Sequence, residues 1–373
     1  MSKLIKLLSL PVLALAILFA TAFPAAAALP YISSKYYCLM EAETGQVILN
    51  KNMDEIRQVA STTKMLTAIL TTEYSGLEET AEVSPFADQT PEFTIGLRAG
   101  QQVAVGELLK VALIRSSNDA AVVLAEHVAG DEELFAHLMS QKAFASGAMS
   151  THFKNASGLP DNQHFSTAYD LAQIGRLALA DPTIKKLVAS RQAKFKHPGY
   201  GQPLTINTTN GVLGSYPGAN GIKTGTADAA GKCLVASASR QGRQLIAVVL
   251  KSGDRNGDCI RLLDYGFKQS KLTKVIDKNL VFKHVNISNG EASGVDIFPA
   301  EDLSLWMGDK KLNIEKKVQL NYELAAPLGR RQKIGVMTVY CEGKPIKSID
   351  LICGQKVDKK TNLFLRWLKD FGS

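Results

Sequence analysis

The amino-acid sequence predicts an α+β domain, with an antiparallel sheet and a helical cluster, followed by a small all-β domain. Strand-like runs stand at both ends of residues 29–270, and helical periodicity fills the middle, which favours an α+β arrangement. Residues 275–357 contain only short runs of alternating apolar and polar residues, as in a small all-β domain. The length of 373 residues also exceeds the roughly 100–200 residues typical of one domain.

The elements of the first domain can be assigned in chain order. A hairpin is predicted over residues 37–49, with its turn at 43–45. Helices are expected over residues 61–181, and strands return over residues 221–250. A closing segment, residues 261–267, completes this domain.

The second domain is marked by a change in the spacing of apolar residues. Its boundary is predicted near residues 268–278, where lysines cluster. The strand-like runs beyond it are residues 280–282, 295–298, 303–306, 318–322, 334–340 and 346–352. They contain no constellation of residues suited to catalysis.

The N-terminal segment has the features of a secretory signal peptide. Lys3 and Lys6 precede an apolar stretch over residues 7–23, and Ala25-Ala-Ala-Ala offers A-x-A cleavage sites. The alternative is an uncleaved membrane anchor, for which this stretch is marginal because a span needs about 20 apolar residues. We expect residues 1–28 to direct the protein across the cytoplasmic membrane.

The C-terminal segment, residues 359–373, is predicted to form an amphipathic helix. Arg366, Lys369 and Asp370 point away from an apolar face that consists of Leu363, Phe364, Trp367, Leu368 and Phe371. Such a pattern is typical of a helix that lies on a bilayer surface. It predicts a peripheral anchor on the outer face of the bacterial cell membrane. The alternative is a terminal helix packed on the β domain.

Charge and histidine spacing exclude several functional classes. The formal net charge is +8, but basic residues are interspersed with acidic ones, so no nucleic-acid partner is expected. The six histidines show no ligand spacing such as H-E-x-x-H, so no metal or other cofactor is expected. The absence of a G-x-S-x-G string argues against a Ser-His-Asp hydrolase.

The five cysteines give no clear disulfide pattern. Because their number is odd, at least one thiol is unpaired. Cys341 and Cys353 lie in neighbouring predicted strands and are the best candidate pair. Five buried, unpaired cysteines are the favoured interpretation.

Three short motifs that carry chemistry occur in order along the chain. They are Ser61-Thr62-Thr63-Lys64, Ser116-Ser117-Asn118 and Lys223-Thr224-Gly225, with the patterns S-x-x-K, S-x-N and K-[ST]-G. A lone S-x-x-K arises about once or twice by chance in a chain of this length. Together the three motifs form the constellation of serine acyl-transferases that bind penicillin.

Ser61 and Lys64 are the candidate nucleophile and base. A serine hydroxyl is a poor nucleophile at neutral pH and needs a base beside it. Residues three apart on a helix lie about 5–6 Å apart between Cβ atoms, so Lys64 can reach Ser61. Burial and a nearby charge on Lys223 would lower the pKa of Lys64, as a lysine base requires. The alternatives are an N-cap serine and a solvated lysine; the other two motifs weigh against both.

The second motif is predicted to lie in a turn between two buried helices. Asp119 is expected to cap the second helix. Ser116 is then free to relay a proton, and Asn118 is free to bind a substrate amide.

The third motif is predicted to lie on an edge strand, before a hairpin whose turn is Arg240-Gln-Gly-Arg. An exposed strand edge can pair with an extended peptide substrate. Gly225 allows a close approach of the backbone there. The alternative for Lys223-Thr224-Gly225 is an ordinary edge strand with a protective lysine.

The motifs and several longer strings resemble the low-molecular-weight penicillin-binding proteins, which are serine-type D-alanyl-D-alanine carboxypeptidases. The resemblance is strong over residues 29–270 and extends in general layout to residue 373. Ala156 and Ala227 depart from it, because the family often has proline and threonine there. The strings that carry it are Ala60-Ser-Thr-Thr-Lys, Arg115-Ser-Ser-Asn-Asp-Ala, Thr151-His-Phe-Lys-Asn-Ala-Ser-Gly-Leu, Ser166-Thr-Ala-Tyr-Asp-Leu-Ala, Gly221-Ile-Lys-Thr-Gly and Leu263-Asp-Tyr-Gly-Phe.

The resemblance implies a β-lactamase/transpeptidase-like catalytic domain and a β-rich stalk. It implies removal of the terminal D-alanine from peptidoglycan stem pentapeptides through a Ser61 acyl-enzyme, with β-lactam antibiotics as inhibitors. Ser116 would pass a proton to the leaving D-alanine, Lys223 would keep the site positive, and the N–H groups of Ser61 and Thr226 would form the oxyanion hole. The substrate would lie along Thr224, Gly225 and Thr226.

Arg255 is the candidate ligand for the free carboxylate of the substrate. It follows the strand 244–250, in a predicted loop, and matches the place of an arginine in the family. A guanidinium fork suits a carboxylate. The alternative is a solvated loop arginine.

Three other functions compete with the carboxypeptidase. A wall-binding protein with a dead site is disfavoured because Ser61, Lys64, Ser116, Asn118 and Lys223 are all present. A serine β-lactamase would need a base for deacylation, but no E-x-x-L-N string follows the second motif, and the nearest acidic segment is Glu132-Glu-Leu-Phe. A D,D-endopeptidase acting on cross-linked peptidoglycan remains open.

Overall fold

The computed structural model describes residues 29–360. The predicted signal peptide, residues 1–28, lies outside this range, and so do residues 361–373 of the predicted amphipathic helix. Among residues 29–360, no helix combines the length and the apolar character that crossing a membrane would require.

The chain forms a helix-rich middle between two groups of strands. The helices are α1 (Lys64–Tyr74), α2 (Pro85–Asp88), α3 (Val105–Ile114), α4 (Asn118–Ala129), α5 (Glu132–Ala145), α6 (Ala168–Ala180), α7 (Pro182–Val188) and α8 (Arg255–Gln269). The strands up to α8 are β1 (Tyr36–Glu41), β2 (Val47–Lys51), β3 (Thr80–Glu82), β4 (Gln102–Ala104), β5 (Gln192–Phe195), β6 (Leu204–Asn207), β7 (Ala219–Ala227), β8 (Gly231–Arg240) and β9 (Arg243–Ser252). The later strands are β10 (Lys271–Ile276), β11 (Lys283–Ser288), β12 (Gly294–Pro299), β13 (Leu303–Met307), β14 (Ile314–Leu320), β15 (Leu324–Ala325), β16 (Lys333–Cys341) and β17 (Lys344–Cys353).

A five-stranded antiparallel sheet forms the frame of the first domain, in the order β2-β1-β9-β8-β7. The predicted N-terminal hairpin is present, with Leu39 opposite Leu49. The predicted turn between β8 and β9 is present as well, with Arg240 opposite Arg243. Because β1 pairs with β9, the first hairpin and the returning strands share one sheet. The strand β7, which carries the third motif, lies at an edge as predicted.

Helices cover both faces of this sheet. Leu234 and Ala236 of β8 pack in a cluster with Leu262 of α8, whereas Val235 between them belongs to the larger core that α6 also enters. This alternation follows from the two-residue period of a strand. A Cβ atom on Gly175 of α6 would lie 3.1 Å from Ile222 Cδ1, so this helix packs closely on the sheet. The predicted α+β class is therefore confirmed.

Two small antiparallel ribbons within the middle of the chain were not predicted. They are β3–β4 and β5–β6. Each of their strands has only three or four residues. A segment this short shows no reliable two-residue alternation, so the sequence pattern could not identify it.

The second group of strands forms an all-β unit with an apolar core, and the predicted all-β character is confirmed. Its six-stranded sheet has the order β14-β16-β17-β12-β11-β15, and β10 pairs with β13. The predicted runs 295–298, 303–306, 334–340 and 346–352 lie in β12, β13, β16 and β17. The prediction for residues 280–282 is wrong, because the strand begins at Lys283 and buries Val285 and Ile287 instead. The strand predicted at 318–322 overlaps β14, which begins four residues earlier and ends two residues earlier.

All five cysteines are buried and unpaired, as the favoured interpretation predicted. A disulfide between Cys341 and Cys353 is excluded by the register of the β16–β17 hairpin. Cys341 stands opposite Lys344, next to the turn. Cys353 lies nine residues farther along β17, which corresponds to about 30 Å of extended strand.

Candidate active site

The first motif forms a tight turn that leads into α1. Ala60–Thr63 make one turn of 3-10 helix, and α1 begins at Lys64, three residues later than predicted. The Oγ1 atoms of Thr62 and Thr63 donate to the carbonyl oxygens of Val59 and Ala60, each at 2.8 Å. These bonds hold together the backbone of the turn that carries Ser61.

Two glycines allow neighbouring segments to pack against the backbone of this turn. A Cβ atom on Gly158 would lie 2.1 Å from the carbonyl oxygen of Ala60, and one on Gly225 would lie 2.7 Å from that of Val59. Gly158 also has φ +84°. The close approach predicted at Gly225 is thus made to the protein's own turn, and the edge strand β7 lies directly beside Ser61.

The ammonium of Lys64 joins the first two motifs. Its Nζ lies 3.0 Å from Ser61 Oγ, 2.6 Å from Asn118 Oδ1 and 2.7 Å from the carbonyl oxygen of Ser157. Three acceptors match the three donors of an ammonium group. The Lys64 side chain is fully buried. The predicted contact between Ser61 and Lys64 is therefore present.

Burial and neighbouring charges control the protonation of this lysine. Burial lowers the pKa of Lys64 well below its ordinary value, and the positive charge of Lys223 lowers it further, while Asp119 and Glu132 oppose the shift. Burial, with a smaller contribution from Arg255, lowers the pKa of Lys223 to about 7. A buried lysine with a lowered pKa can lose its proton and accept one from Ser61.

The second motif lies between α3 and α4, as predicted. Ser116 adopts φ +73° and is 8% exposed, and its hydroxyl takes part in no hydrogen bond within residues 29–360. Asn118 is the first residue of α4, and its Nδ2 donates to the carbonyl oxygens of Pro91 and Glu92 at 3.3 and 3.1 Å. Ser116 is therefore free to interact with a ligand, whereas both polar atoms of the Asn118 side chain contact the protein.

The prediction that Asp119 caps α4 is wrong. The N-cap position is occupied by Ser117, without a side-chain cap bond. The carboxylate of Asp119, inside the helix, accepts from the backbone N–H of Ala120 at 2.8 Å and from those of Ile95, Gly96 and Leu97 at 3.0 to 3.2 Å. Asp119 thus connects the segment before β4 to the second motif, a role that local capping rules do not reveal.

The third motif and Arg255 meet on the edge strand. Lys223 Nζ donates to the carbonyl oxygen of Thr224 at 3.2 Å, and Thr224 Oγ1 lies 2.5 Å from Thr209 Oγ1. Arg255 Nη1 donates to the carbonyl oxygen of Gly225 at 3.0 Å and to Thr226 Oγ1 at 2.8 Å. These bonds join Arg255 to the strand predicted to bind substrate.

The prediction that Arg255 lies in a loop is wrong, because Arg255 is the first residue of α8. Asp254 precedes it and caps this helix by accepting from Gly257 N. The helix start aims the guanidinium at Gly225 and Thr226, and its Nη2 and Nε atoms have no partner in the described part of the chain. Arg255 can therefore brace the strand with one nitrogen and bind a carboxylate with another.

The sequence did not predict the contact between Lys64 and the segment 155–158. The carbonyl oxygen of Ser157 accepts from Lys64, and that of Ala156 accepts from Thr67 Oγ1 at 2.6 Å. Asn155 Oδ1 holds the segment by accepting from Gly158 N at 2.7 Å. The string Asn155-Ala-Ser-Gly is typical of a turn. However, no side-chain pattern predicts that the carbonyl oxygen of Ser157 will accept a hydrogen bond from Lys64.

The histidine beside the turn Ala60–Thr63, here called the nucleophile turn because it carries the candidate nucleophile Ser61, has a structural role. His164 Nε2 lies 2.8 Å from Thr63 Oγ1, and burial lowers the pKa of His164 to about 4. The ring is therefore uncharged near neutral pH. No group of three His, Cys, Asp or Glu side chains suited to a metal ion occurs between residues 29 and 360.

Comparisons with known proteins agree over both parts of the chain. Residues 23–254 match the family model described as D-alanyl-D-alanine carboxypeptidase, and residues 271–359 match the C-terminal domain of penicillin-binding protein 5. The D-alanyl-D-alanine carboxypeptidase DacF of Bacillus subtilis is 29% identical over 346 residues, which cover 90% of this chain and 88% of the relative.

Other relatives and solved structures give the same result. DacB2 of Mycobacterium tuberculosis is 33% identical over 240 residues, which cover 62% of this chain and 81% of that relative. The structure of penicillin-binding protein 5 from Haemophilus influenzae superposes with a TM-score of 0.70 at 26% identity, and the match covers 90% of this chain and all of that one (100%). The transpeptidase-like fold with a C-terminal all-β domain is thereby confirmed. The first family model spans more than half of the sequence, and the chain belongs to the D-alanyl-D-alanine carboxypeptidase family.

Proposed function

We propose that this protein is a serine D-Ala-D-Ala carboxypeptidase that removes the terminal D-alanine from peptidoglycan stem pentapeptides. The observation that carries the proposal is the 3.0 Å contact between Ser61 Oγ and the buried Nζ of Lys64. A serine acyl-enzyme pathway needs such a pair, since the base must be close and able to become neutral. The named relatives support the same reaction.

Acylation begins with proton transfer between these two side chains. Neutral Lys64 accepts the hydroxyl proton of Ser61 as Ser61 Oγ forms a bond with the carbonyl carbon between the two D-alanines. The carbonyl oxygen becomes an oxyanion, which the backbone N–H groups of Ser61 and Thr226 stabilise. Donors aimed at such a developing charge contribute heavily to rate, at about 10²–10³-fold for one donor.

Collapse of this intermediate breaks the C–N bond and releases D-alanine. The leaving nitrogen takes a proton, which passes from Lys64 through the hydroxyl of Ser116. Ser116 suits this relay because its hydroxyl makes no other hydrogen bond within residues 29–360 and the residue is still 8% exposed. Water then attacks the ester carbonyl and gives a proton to Lys64. The bond between this carbon and Ser61 Oγ breaks, and Lys64 returns the proton to Ser61 Oγ, so both side chains regain their starting states. A β-lactam would also form an ester with Ser61 Oγ, but its amine would stay attached to the bound acyl group.

Substrate selection is assigned to β7 and to the groups beside it. The stem peptide pairs with the strand edge formed by Thr224, Gly225 and Thr226. For Asn118 to bind an amide of the substrate, its side chain must exchange one of its hydrogen bonds within the protein for a bond to the substrate. Lys223 keeps the site positive. Arg255 binds the carboxylate of the terminal D-alanine through its unpaired nitrogens.

The products of hydrolysis distinguish this activity from its alternatives. The enzyme is incubated with a pentapeptide that ends in D-Ala-D-Ala, with cross-linked muropeptide and with a β-lactam. We expect free D-alanine and tetrapeptide as the main products. Cleavage of cross-links alone would identify an endopeptidase, and fast turnover of the β-lactam would identify a β-lactamase. A protein with Ser61→Ala should release nothing, whereas the control Ser215→Ala, at an exposed serine, should behave as wild type.

The place of action is proposed to be the outer face of the cell membrane. Support comes from the signal pattern of residues 1–28 and the amphipathic pattern of residues 359–373. Deletion of residues 359–373 should release an active enzyme from the membrane fraction. Retention of the truncated, processed protein in that fraction would place the anchor elsewhere. If the truncation unfolded the β domain, this would favour the alternative in which the C-terminal helix packs on that domain.

A further inference from the structure

The segment that lies behind Lys64 is held by more than its own turn. This segment, residues 155–158, presents the carbonyl oxygen of Ser157 to Lys64 Nζ at 2.7 Å. Gly158 at its end packs against Ala60, where a Cβ atom would lie 2.1 Å from the carbonyl oxygen. The segment therefore touches both the base and the nucleophile turn. Any displacement of its backbone would move an acceptor of Lys64.

One carboxylate from another helix fixes this segment. Glu132 begins α5, and its Oε1 accepts from the backbone N–H of Ala156 at 2.9 Å. Ala156 is fully buried and adjoins Ser157. Asp131 already caps α5 by accepting from Leu134 N at 2.7 Å, so Glu132 is not needed for that purpose. Its hydrogen bond connects α5 to the 155–156 peptide unit, two units before the one whose carbonyl oxygen binds Lys64.

We propose that Glu132 is a positioning residue for Lys64, acting through its hydrogen bond to Ala156 N. The inference rests on the proposed acyl-enzyme function, because it assigns Glu132 a part in setting the geometry of that base. Within residues 29–360, Glu132 makes no hydrogen bond to Ser61 or to Lys64, so it takes no direct part in the chemistry. It keeps the Ser157 carbonyl in place while Lys64 Nζ gains and loses its proton.

The charge of Glu132 has a second, separable effect. Lys64 faces Lys223 from β7, Asp119 from α4, Glu132 from α5 and His164 from the segment after Gly158. Burial raises the pKa of Glu132, with a further contribution from the carboxylate of Glu126, while the hydrogen bond from Ala156 N and the charge of Lys64 oppose the shift. When ionised, Glu132 favours the charged form of Lys64 and so opposes the lowering of its pKa. Loss of that charge should therefore extend activity to lower pH.

Two substitutions separate the hydrogen bond from the charge. Glu132→Gln keeps an oxygen of the right reach but removes the charge, because an amide oxygen also accepts from an N–H. Glu132→Asp keeps the charge but withdraws the oxygen by one methylene. Glu133→Ala is the matched control, since Glu133 is the exposed neighbour on the same helix turn. The readout is the acylation rate with a fluorescent penicillin between pH 5 and 9, together with the melting temperature.

The expected pattern is specific to positioning by a hydrogen bond. Glu132→Asp should slow acylation by about 10–100-fold at every pH, since a small misplacement near a reacting group can cost about 10²-fold. Glu132→Gln should stay within about threefold of wild type at the plateau, with its acidic limb moved to lower pH. Glu133→Ala should match wild type.

Three results would overturn the inference. They are wild-type kinetics in Glu132→Asp, a plateau in Glu132→Gln as low as that of Glu132→Asp, and an equal loss in Glu133→Ala. If Glu132→Asp fails to fold, the folded Glu132→Gln variant decides alone through its plateau and its acidic limb. A wild-type protein that fails to react with penicillin would instead refute the proposed function and leave these comparisons without a baseline.

Discussion

The two domains treat polar side chains in opposite ways. Within the described chain, every buried polar or charged residue lies between Ser34 and Ser270, and none lies in the C-terminal all-β unit. The first domain fully buries Lys64 and nearly all of Lys223, whereas the second packs an apolar core and keeps its charges in surface pairs such as Lys347–Glu301. Burying a lysine costs free energy unless acceptors surround it. Buried charged groups of this kind are typical of a reactive site. A domain without them, such as the all-β unit, is better suited to a structural role.

This contrast predicts that a change at Lys64 has the largest effect on activity. Lys64→Arg removes the neutral base, because a guanidinium does not lose its proton in a protein. Acylation by fluorescent penicillin should fall by about 10²–10⁴-fold, the usual contribution of a general base. The control Lys347→Arg in the all-β unit should leave the rate unchanged. Normal acylation in Lys64→Arg would remove the lysine-base scheme.

A pair of glycines sharpens the comparison at the level of the backbone. Gly158→Ala meets the Ala60 carbonyl at 2.1 Å, whereas Gly343→Ala, in the β16–β17 turn, meets nothing within 4 Å. Both positions have positive φ, so each alanine should cost about 1–2 kcal/mol from that alone. Only Gly158→Ala should also slow acylation, by about tenfold or more, since it displaces the nucleophile turn. Thermal unfolding and penicillin labelling check both; equal acylation rates would contradict the account.

The pH dependence of stability tests the burial of Lys223. Its folded pKa of about 7 lies below its ordinary value near 10.5, so the unfolded chain binds more protons between these values. Stability should therefore rise with pH above about 7, by at most about 1.4 kcal/mol per pH unit from this group. Urea unfolding at pH 7 and 8.5 should show a smaller rise for Lys223→Met than for wild type. Identical slopes would mean that Lys223 keeps its ordinary pKa.

The smallest effect on activity is expected from the core of the second domain. Ile349→Ala removes a fully buried side chain from β17 and should destabilise that unit by about 2–5 kcal/mol. Acylation at 20 °C should stay within about twofold of wild type, because no residue of that unit contacts Lys64. A large loss of acylation, with the first domain still folded by circular dichroism, would show that the two units are coupled more strongly than proposed.

The sequence predicted those features whose geometry is local. Ser61 and Lys64 lie three residues apart along one helical path, and the edge position of β7 follows from the strand pattern around Gly225. The roles of Asp119, Glu132 and Ser157 could not be predicted, because each depends on a backbone group from a distant segment. A carbonyl or N–H is present at almost every residue, so its partner leaves no signal in the side-chain pattern.

The central claim, that Ser61 is the nucleophile served by Lys64, is tested most directly by locating the penicillin adduct. The full-length protein is reacted with benzylpenicillin and digested, and the modified peptide is sequenced by mass spectrometry. We expect a single ester on Ser61, none in Ser61→Ala, and a strongly slowed formation of the same ester in Lys64→Arg. An adduct on another residue, or full labelling of Ser61→Ala, would contradict it.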